Sequence, residues 1–279
     1  MPYLLSTCFD RFLENITVAG NARAIAKTRR DGVTGLLEKQ FTLLDSSTTG
    51  SLVRGTGLKN VSDVDVMAVL HYTKHLKDKT PKQALELVRS SLSEYNARIV
   101  KKNGQAVTLY FETWPNVDIV PCKRVGTDDR YVLHIPDMNS GEWIPTDPAS
   151  HDRAMAATSA RCRQLIRMVK TWNRAHSDYF QSFHIEQVAL QLWLNEHDTA
   201  EGAWPWQLKS FFEKALELTG PYDTISAAYN LDDWSELRTR LERGQALALD
   251  AWYAASRGDH ETAIIKCGVL LGDKFPGYG

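Results

Sequence analysis

The chain has 279 residues, enough to bury a sizeable core as one large domain or two closely packed lobes. Its net charge of −1 supplies no global basic field, so a dedicated DNA or RNA binder is not expected, although a local basic groove is not excluded. Four cysteines, Cys8, Cys122, Cys162 and Cys267, lie far apart with no Cys-x-x-Cys pair, which argues against a zinc ribbon or a disulfide framework and fits a reducing, cytoplasmic setting.

The first residues lack the basic start and long apolar core of a signal peptide, and no apolar run approaches a membrane span, so no membrane partner is expected. Residues 6–44 read as mostly helical. Phe9, Phe12, Leu13 and Ile16 keep helical spacing, as do Val33, Leu36 and Leu37, with Phe41 and Leu44 following less strictly. The polar run 45–49 reads as a loop leading to Gly50-Ser51, where glycine permits close approach of the backbone to a ligand. An apolar alternation over 61–70 reads as a strand carrying Asp63 and Asp65, and the charged segment 71–82 as a solvated loop. Pro81 opens a helix to about Tyr95 with Leu85, Val88 and Leu92 on one face. Residues 97–111 read as a hairpin turning at Lys102-Asn103-Gly104. Asp118 lies in a further apolar strand, and 130–135 adds another. Residues 136–148 read as a loop, and the lobe boundary is set near its end, giving 1–149 and 150–279. Beyond it nearly everything reads as helix. In 152–176, Arg163, Arg167, Lys170 and Arg174 form a stripe opposite Cys162, Leu165, Ile166 and Val169, and periodicity alone favours an ordinary solvated face for it. Segments 206–218 and 232–256 read as amphipathic core helices.

The chemistry concentrates around Gly50-Ser51 and Asp63-Val64-Asp65. In a strand, residues two apart point to the same face, so Asp63 and Asp65 present both carboxylates to one side, roughly 6.5 Å apart along the backbone. Such a pair often merely solvates a strand end. It can also converge on cations about 3.5–4 Å apart, as a two-metal phosphoryl-transfer site requires. Gly50-Ser51 upstream offers a backbone N–H and a hydroxyl to phosphate oxygens, and Asp118 offers a third carboxylate among β-branched residues. Gly-Ser, then Asp-x-Asp, then a lone Asp resembles the DNA polymerase β-like nucleotidyltransferases. The wording Gly50-Ser51…Arg54-Gly55-Thr56…Ser62-Asp63-Val64-Asp65 is similar to one branch of them, the bacterial cyclic GMP–AMP synthase-like enzymes (CD-NTases). The ending Leu270-Leu271-Gly272-Asp273-Lys274-Phe275-Pro276 resembles the Phe-Gly-x-x-Phe-Pro ending common in that branch, with Leu271 for the first Phe. Thr49 departs from the pattern, since many members carry an aromatic or Gln there.

The resemblance implies an α+β fold, with a mixed-sheet nucleotidyltransferase lobe, a helical C-terminal lobe and an active site in the cleft. It implies magnesium, with manganese as alternative, held by Asp63, Asp65 and Asp118, the last also helping to deprotonate the attacking hydroxyl. Gly50, Ser51, Lys170 and Ser182 would contact the nucleotide, and Ser159 would fall near a base-facing helical position, its small side chain favouring purines and ATP in particular. The implied activity is synthesis of a cyclic di- or trinucleotide from NTPs in anti-phage (CBASS) defence, with the diffusible product acting on an effector. Gly279 is compatible with conjugation by a ubiquitin-activating-like partner, or is simply a frayed end. Two alternatives stand beside this reading. One is a template-free nucleotidyltransferase acting on an RNA end or a small molecule. The other is a catalytically inactive nucleotide-binding regulator, disfavoured by the intact Asp63, Asp65 and Asp118 set. Other motifs fail. Gly55-Thr-Gly57-Leu-Lys-Asn60 lacks the last glycine of a dinucleotide fingerprint, and His184-Ile-Glu186 lacks the Pro-Cys-x-x-Cys of a zinc deaminase.

Overall fold

The computed structural model describes residues 4–93, 95, 99–127, 130–195, 203–220, 225 and 229–278. Gly279 lies outside them. The chain packs as two units, Val18–Ala156 and a second formed by Met1–Thr17 with Ala157–Gly279. The boundary expected at 149/150 therefore falls inside a helix that stays with the first unit, and the first helix of the chain belongs with the C-terminal helices.

The first unit is α+β. Helix α2 (Gly20–Gln40) leads into β1 (Leu43–Thr49), a short turn of helix α3 (Ser51–Arg54), β2 (Val64–Leu70) and α4 (Pro81–Ser91). A hairpin of β3 (Ile99–Asn103) and β4 (Ala106–Tyr110) follows, as expected, then β5 (Val117–Thr127), β6 (Arg130–Pro136), β7 (Trp143–Thr146) and α5 (Pro148–Ala156). The described strands form a seven-stranded mixed sheet in the order β1-β2-β5-β4-β3, with β6 and β7 continuing from β5. β2 and β5 run parallel and their neighbours antiparallel. Pro81 starts α4 as expected, behind a capping box in which Thr80 and Gln83 satisfy each other's backbone N–H groups. Apolar side chains of α2 and α4 cover one face of the sheet: Val33, Leu37, Ala84, Leu85 and Val88 meet Val64, Val66, Ala68 and Leu70 of β2.

Three segments read as loops differ. Residues 45–49 belong to β1, an edge strand whose backbone pairs with β2 while most of its side chains stay in partial contact with water. Residues 72–76 form a π-helical turn that buries Leu76, with the His71 ring accepting from the N–H of Lys74. Trp143–Thr146 adds β7 against β6.

The second unit is helical: α1 (Leu5–Ile16), α6 (Ala160–Ala175), α7 (Ser182–Asn195), α8 (Trp204–Leu218), α9 (Leu231–Ser256) and α10 (His260–Leu271). The single helix read over 152–176 is thus two, α5 and α6, broken at 157–159. α1 joins this unit because Phe9 and Phe12 pack edge-on against Phe275, at 5.1 and 5.4 Å between ring centres. Phe275 of the Phe275-Pro276 ending is thereby buried. All four cysteines are buried and none forms a disulfide. Among the described residues no helix is long and apolar enough to cross a membrane.

Trp172, on α6, meets Phe212 of α8 edge-on at 4.8 Å, and the Phe212 ring also lies beside Gly244 of α9. A Cβ on Gly244 would stand 2.9 Å from the Phe212 ring, which is fully buried and cannot swing away. Gly244→Ala should therefore destabilise the chain in urea unfolding by about 1–2 kcal/mol net, because overpacking outweighs the gain of roughly 1 kcal/mol in helix propensity. In a Phe212→Leu background the same change should be neutral or stabilising. An equal cost in both backgrounds would mean that this contact is not what requires glycine.

Candidate active site

Strand alternation decides which face carries the acids. In β2, Val64, Val66, Ala68 and Leu70 point to α2 and α4, so Asp65, Met67 and Val69 point the other way. In β5, Val117 and Ile119 take the helix side, which leaves Asp118, Val120 and Cys122 on the same face as Asp65. The register then aligns four residues in one row across the sheet. Thr49 of β1 is opposite Asp65, Asp65 is opposite Asp118 across the parallel pair, and Asp118 is opposite Thr108 of β4. Asp63 sits just before this row, because β2 begins at Val64 and not at 61. Two bonds hold the entry. The Trp114 indole donates to the Ser62 carbonyl at 3.0 Å, and the N–H of Val64 donates to the Asn116 carbonyl at 3.0 Å.

The carboxylates feel one another. Burial and then the charge of Asp118 push the Asp63 carboxyl from its ordinary 3.8 up to about 6, against opposing hydrogen bonds from the side chain and backbone of Asn116. Asn116 is oriented for this, since its own Oδ1 accepts from the N–H of Phe111 at 3.3 Å. Burial also raises Asp118, and the buried Thr108 hydroxyl, which donates to Asp118 Oδ1, works against it. Asp63 Oδ1 is buried with no hydrogen-bond partner among the described residues. Asp65 lies against the glycine turn: a Cβ on Gly50 would fall 1.6 Å from Asp65 Oδ2. Gly50 also has φ 89°, so glycine is required there on both counts. Among the described residues no three His, Cys, Asp or Glu side chains stand close enough to hold an ion as they are.

Ser51 begins α3, and the turn closes when the N–H of Thr56 donates to the Ser51 carbonyl at 2.9 Å. Gly50, Ser51, Asp63, Asp65 and Asp118 are thus gathered in the sheet unit. A concavity of about 590 Å³ adjoins the end of β1, with Thr48, Thr49, Tyr131, Asp147 and Asp152 in its wall.

The other expected residues lie in the helical unit. Ser159 is the N-cap of α6, its hydroxyl oxygen accepting from the N–H of Cys162 at 3.1 Å. Lys170 is buried, and its ammonium pairs with the fully buried Glu186 at 2.7 Å. Ser182 is exposed at the start of α7. Beside it the buried His184 bonds through Nδ1 to the Tyr229 hydroxyl at 2.8 Å, and burial lowers that histidine. Sequence reasoning did not single out Thr108 or Asn116 as site residues. Thr108 shares the site only through strand pairing, which no local pattern announces. Asn116 carried a weak signal, as the residue two before Asp118 on a strand edge.

Comparison with known proteins identifies the family. Residues 4–158, more than half of the chain, match the family described as "Second Messenger Oligonucleotide or Dinucleotide Synthetase domain". The chain is 24% identical to a Bacillus cereus protein named "Probable cyclic nucleotide synthase" across 98% of both chains. It is 26% identical to a cyclic AMP-AMP-AMP synthase of Escherichia coli MS 115-1, over 70% of this chain and 64% of that one. The solved structure of E. coli MS115-1 CdnC with ATP superposes with a TM-score of 0.77 at 20% identity, covering 97% of this chain and 98% of that one. The chain belongs to the Second Messenger Oligonucleotide or Dinucleotide Synthetase family, nucleotidyltransferases of the cyclic nucleotide synthase type that its Gly-Ser and Asp-x-Asp motifs resemble.

Proposed function

We propose that this cyclic oligonucleotide synthase is magnesium-dependent, prefers ATP, and releases a cyclic di- or trinucleotide that acts on an effector in anti-phage defence. The observation that carries the reading is the row Thr49–Asp65–Asp118–Thr108 with the unsatisfied oxygen of Asp63 beside it. The donor set fits a hard divalent cation. Its atoms are carboxylate oxygens, one of them is buried without a partner, and Asp63 and Asp118 repel each other in a way that a cation relieves. Asp63, Asp65 and Asp118 would hold it, with Asp65 leaving Gly50 to do so. Bound magnesium would supply charge neutralisation at the phosphates, the main lever in phosphoryl transfer.

The chain's own groups do the rest. Asp118 takes the proton of the attacking ribose hydroxyl, whose oxygen then bonds to the α-phosphorus as pyrophosphate departs. Thr108 keeps Asp118 oriented for that task by donating to its Oδ1. Gly50 and Ser51 bring backbone and hydroxyl donors to the phosphates; the family resemblance assigns Lys170 and Ser182 to the nucleotide as well, Lys170 with its ammonium already paired to Glu186. The short Ser159 leaves room for a purine. The names of the Escherichia coli relatives, a cyclic AMP-AMP-AMP synthase and a structure with ATP, also support adenine.

Incubation with all four NTPs and magnesium should give phosphatase-resistant cyclic product by mass spectrometry, and omitting ATP should abolish it. The folded Asp63→Asn/Asp65→Asn variant should lose synthesis by more than the roughly 10²–10³ of a single lost electrostatic donor. Product made from UTP or CTP without ATP would overturn the adenine preference, and near wild-type synthesis by the double variant would overturn the carboxylate assignment.

A second expectation follows from the raised Asp63. The native state binds more protons than the unfolded chain between the ordinary aspartate value of 3.8 and about 6. The Asp63 charge therefore costs stability as pH rises through that window, and the cost is complete above it. Magnesium should raise the melting temperature more at about pH 8 than at about pH 5, and not at all in Asp63→Asn/Asp65→Asn. A gain independent of pH, or one that survives in the double variant, would assign the ion elsewhere.

A further inference from the structure

Gly50 and Ser51 are useful only if their backbone is held still, and the structure contains a device that does this from outside the motif. Asp152, on α5, uses both carboxylate oxygens on the two ends of the turn. Oδ2 accepts from the hydroxyl of Thr49 at 2.8 Å, and Oδ1 accepts from Nη1 of Arg54 at 2.9 Å. Thr49 is the last residue of β1 and the register partner of Asp65, and Arg54 is the last residue of α3. The four residues between them, 50–53, are thus spanned by one side chain. The Asp152 and Arg54 side chains are 22% and 13% exposed and Thr49 is 8% exposed, so the contacts are partly withdrawn from water and shielded from salt. Charge-assisted bonds of this kind are about twice as strong as neutral ones.

Two further features make the clamp matter. Gly50 packs directly on the Asp65 carboxylate, so a small shift of the turn moves the backbone against a proposed metal ligand. The concavity of about 590 Å³ has Thr49 and Asp152 in its wall, so on that side open space, not packed side chains, borders the clamp. Without the carboxylate, the Thr49 hydroxyl would face that space.

We propose that Asp152 is a positioning residue that fixes the Gly50-Ser51 turn for the triphosphate of the incoming nucleotide. Asp152 does not itself touch the nucleotide. The inference rests on the nucleotidyltransferase reading above and deepens it.

The test compares Asp152→Ala, Asp152→Asn and Thr49→Val with wild type. It uses calorimetric titration with a non-hydrolysable ATP analogue plus magnesium, steady-state KM and kcat, and thermal melting. Losing the clamp should weaken analogue binding and raise KM by about tenfold in Asp152→Ala, the equivalent of one lost charge-assisted bond, with a smaller change in kcat. Thr49→Val, nearly isosteric, should shift the same quantities in the same direction by less, and it serves if Asp152→Ala does not fold. Asp152→Asn should fall between wild type and Ala. Unchanged Kd and KM in folded Asp152→Ala, or a loss confined to melting temperature and active fraction, would overturn the proposal. A wild-type protein that binds the analogue but forms no product would overturn the synthase reading, while the affinities would still judge the clamp.

Discussion

The structure turns on two parallel strands that set carboxylates side by side. Because β2 and β5 pair in parallel, Asp65 and Asp118 come level on the face that α2 and α4 leave uncovered, with Asp63 one step upstream. Burial, and after it the charge of Asp118, raises the Asp63 carboxyl to about 6, and burial raises Asp118 as well. Much of the surrounding detail answers it. Thr108 and Asn116 aim donors at Asp118 and Asp63, and Gly50 gives up a side chain so that Asp65 can lie against it. Groups arranged against their own electrostatics are where function is to be sought.

How far the sequence foretold this depends on the range of the interaction. The period-two pattern that carries Asp65 with Val64 and Val66 is local, and it read correctly as a strand, short of its exact start. The pairing that brings Asp118 beside Asp65 is not local, and only the family resemblance implied it. β1 was missed for a related reason. Its residues Asp45-Ser-Ser-Thr-Thr look like a loop by composition, and what makes them a strand is the backbone ladder to β2. An edge strand needs little apolar content, because only its backbone must be paired. Similarly, the long helix read over 152–176 hid a break that Ser159 marks, a serine ahead of an apolar-periodic run being a start signal.

In the helical unit the basic stripe read from periodicity divides into different roles. Arg163 turns back to the Thr158 carbonyl and hydroxyl at the helix start. Arg174 makes an exposed pair with Asp178 at 3.6 Å, a contact of little energetic weight. Lys170 alone is buried, and its partner Glu186 has no exposure at all. A buried pair stabilises poorly for what it costs to desolvate, so its value lies more in fixing the lysine's position than in stability. Helical spacing could place these residues on one face but could not tell which would be withdrawn from water.

Whether the carboxylate row holds the catalytic cation is tested most directly by crystals of the protein grown with manganese and a non-hydrolysable ATP analogue, read by anomalous scattering. The account predicts anomalous peaks coordinated by oxygens of Asp63, Asp65 and Asp118, with the Asp65 carboxylate moved off Gly50. Ordered nucleotide with manganese bound away from those three side chains would contradict it.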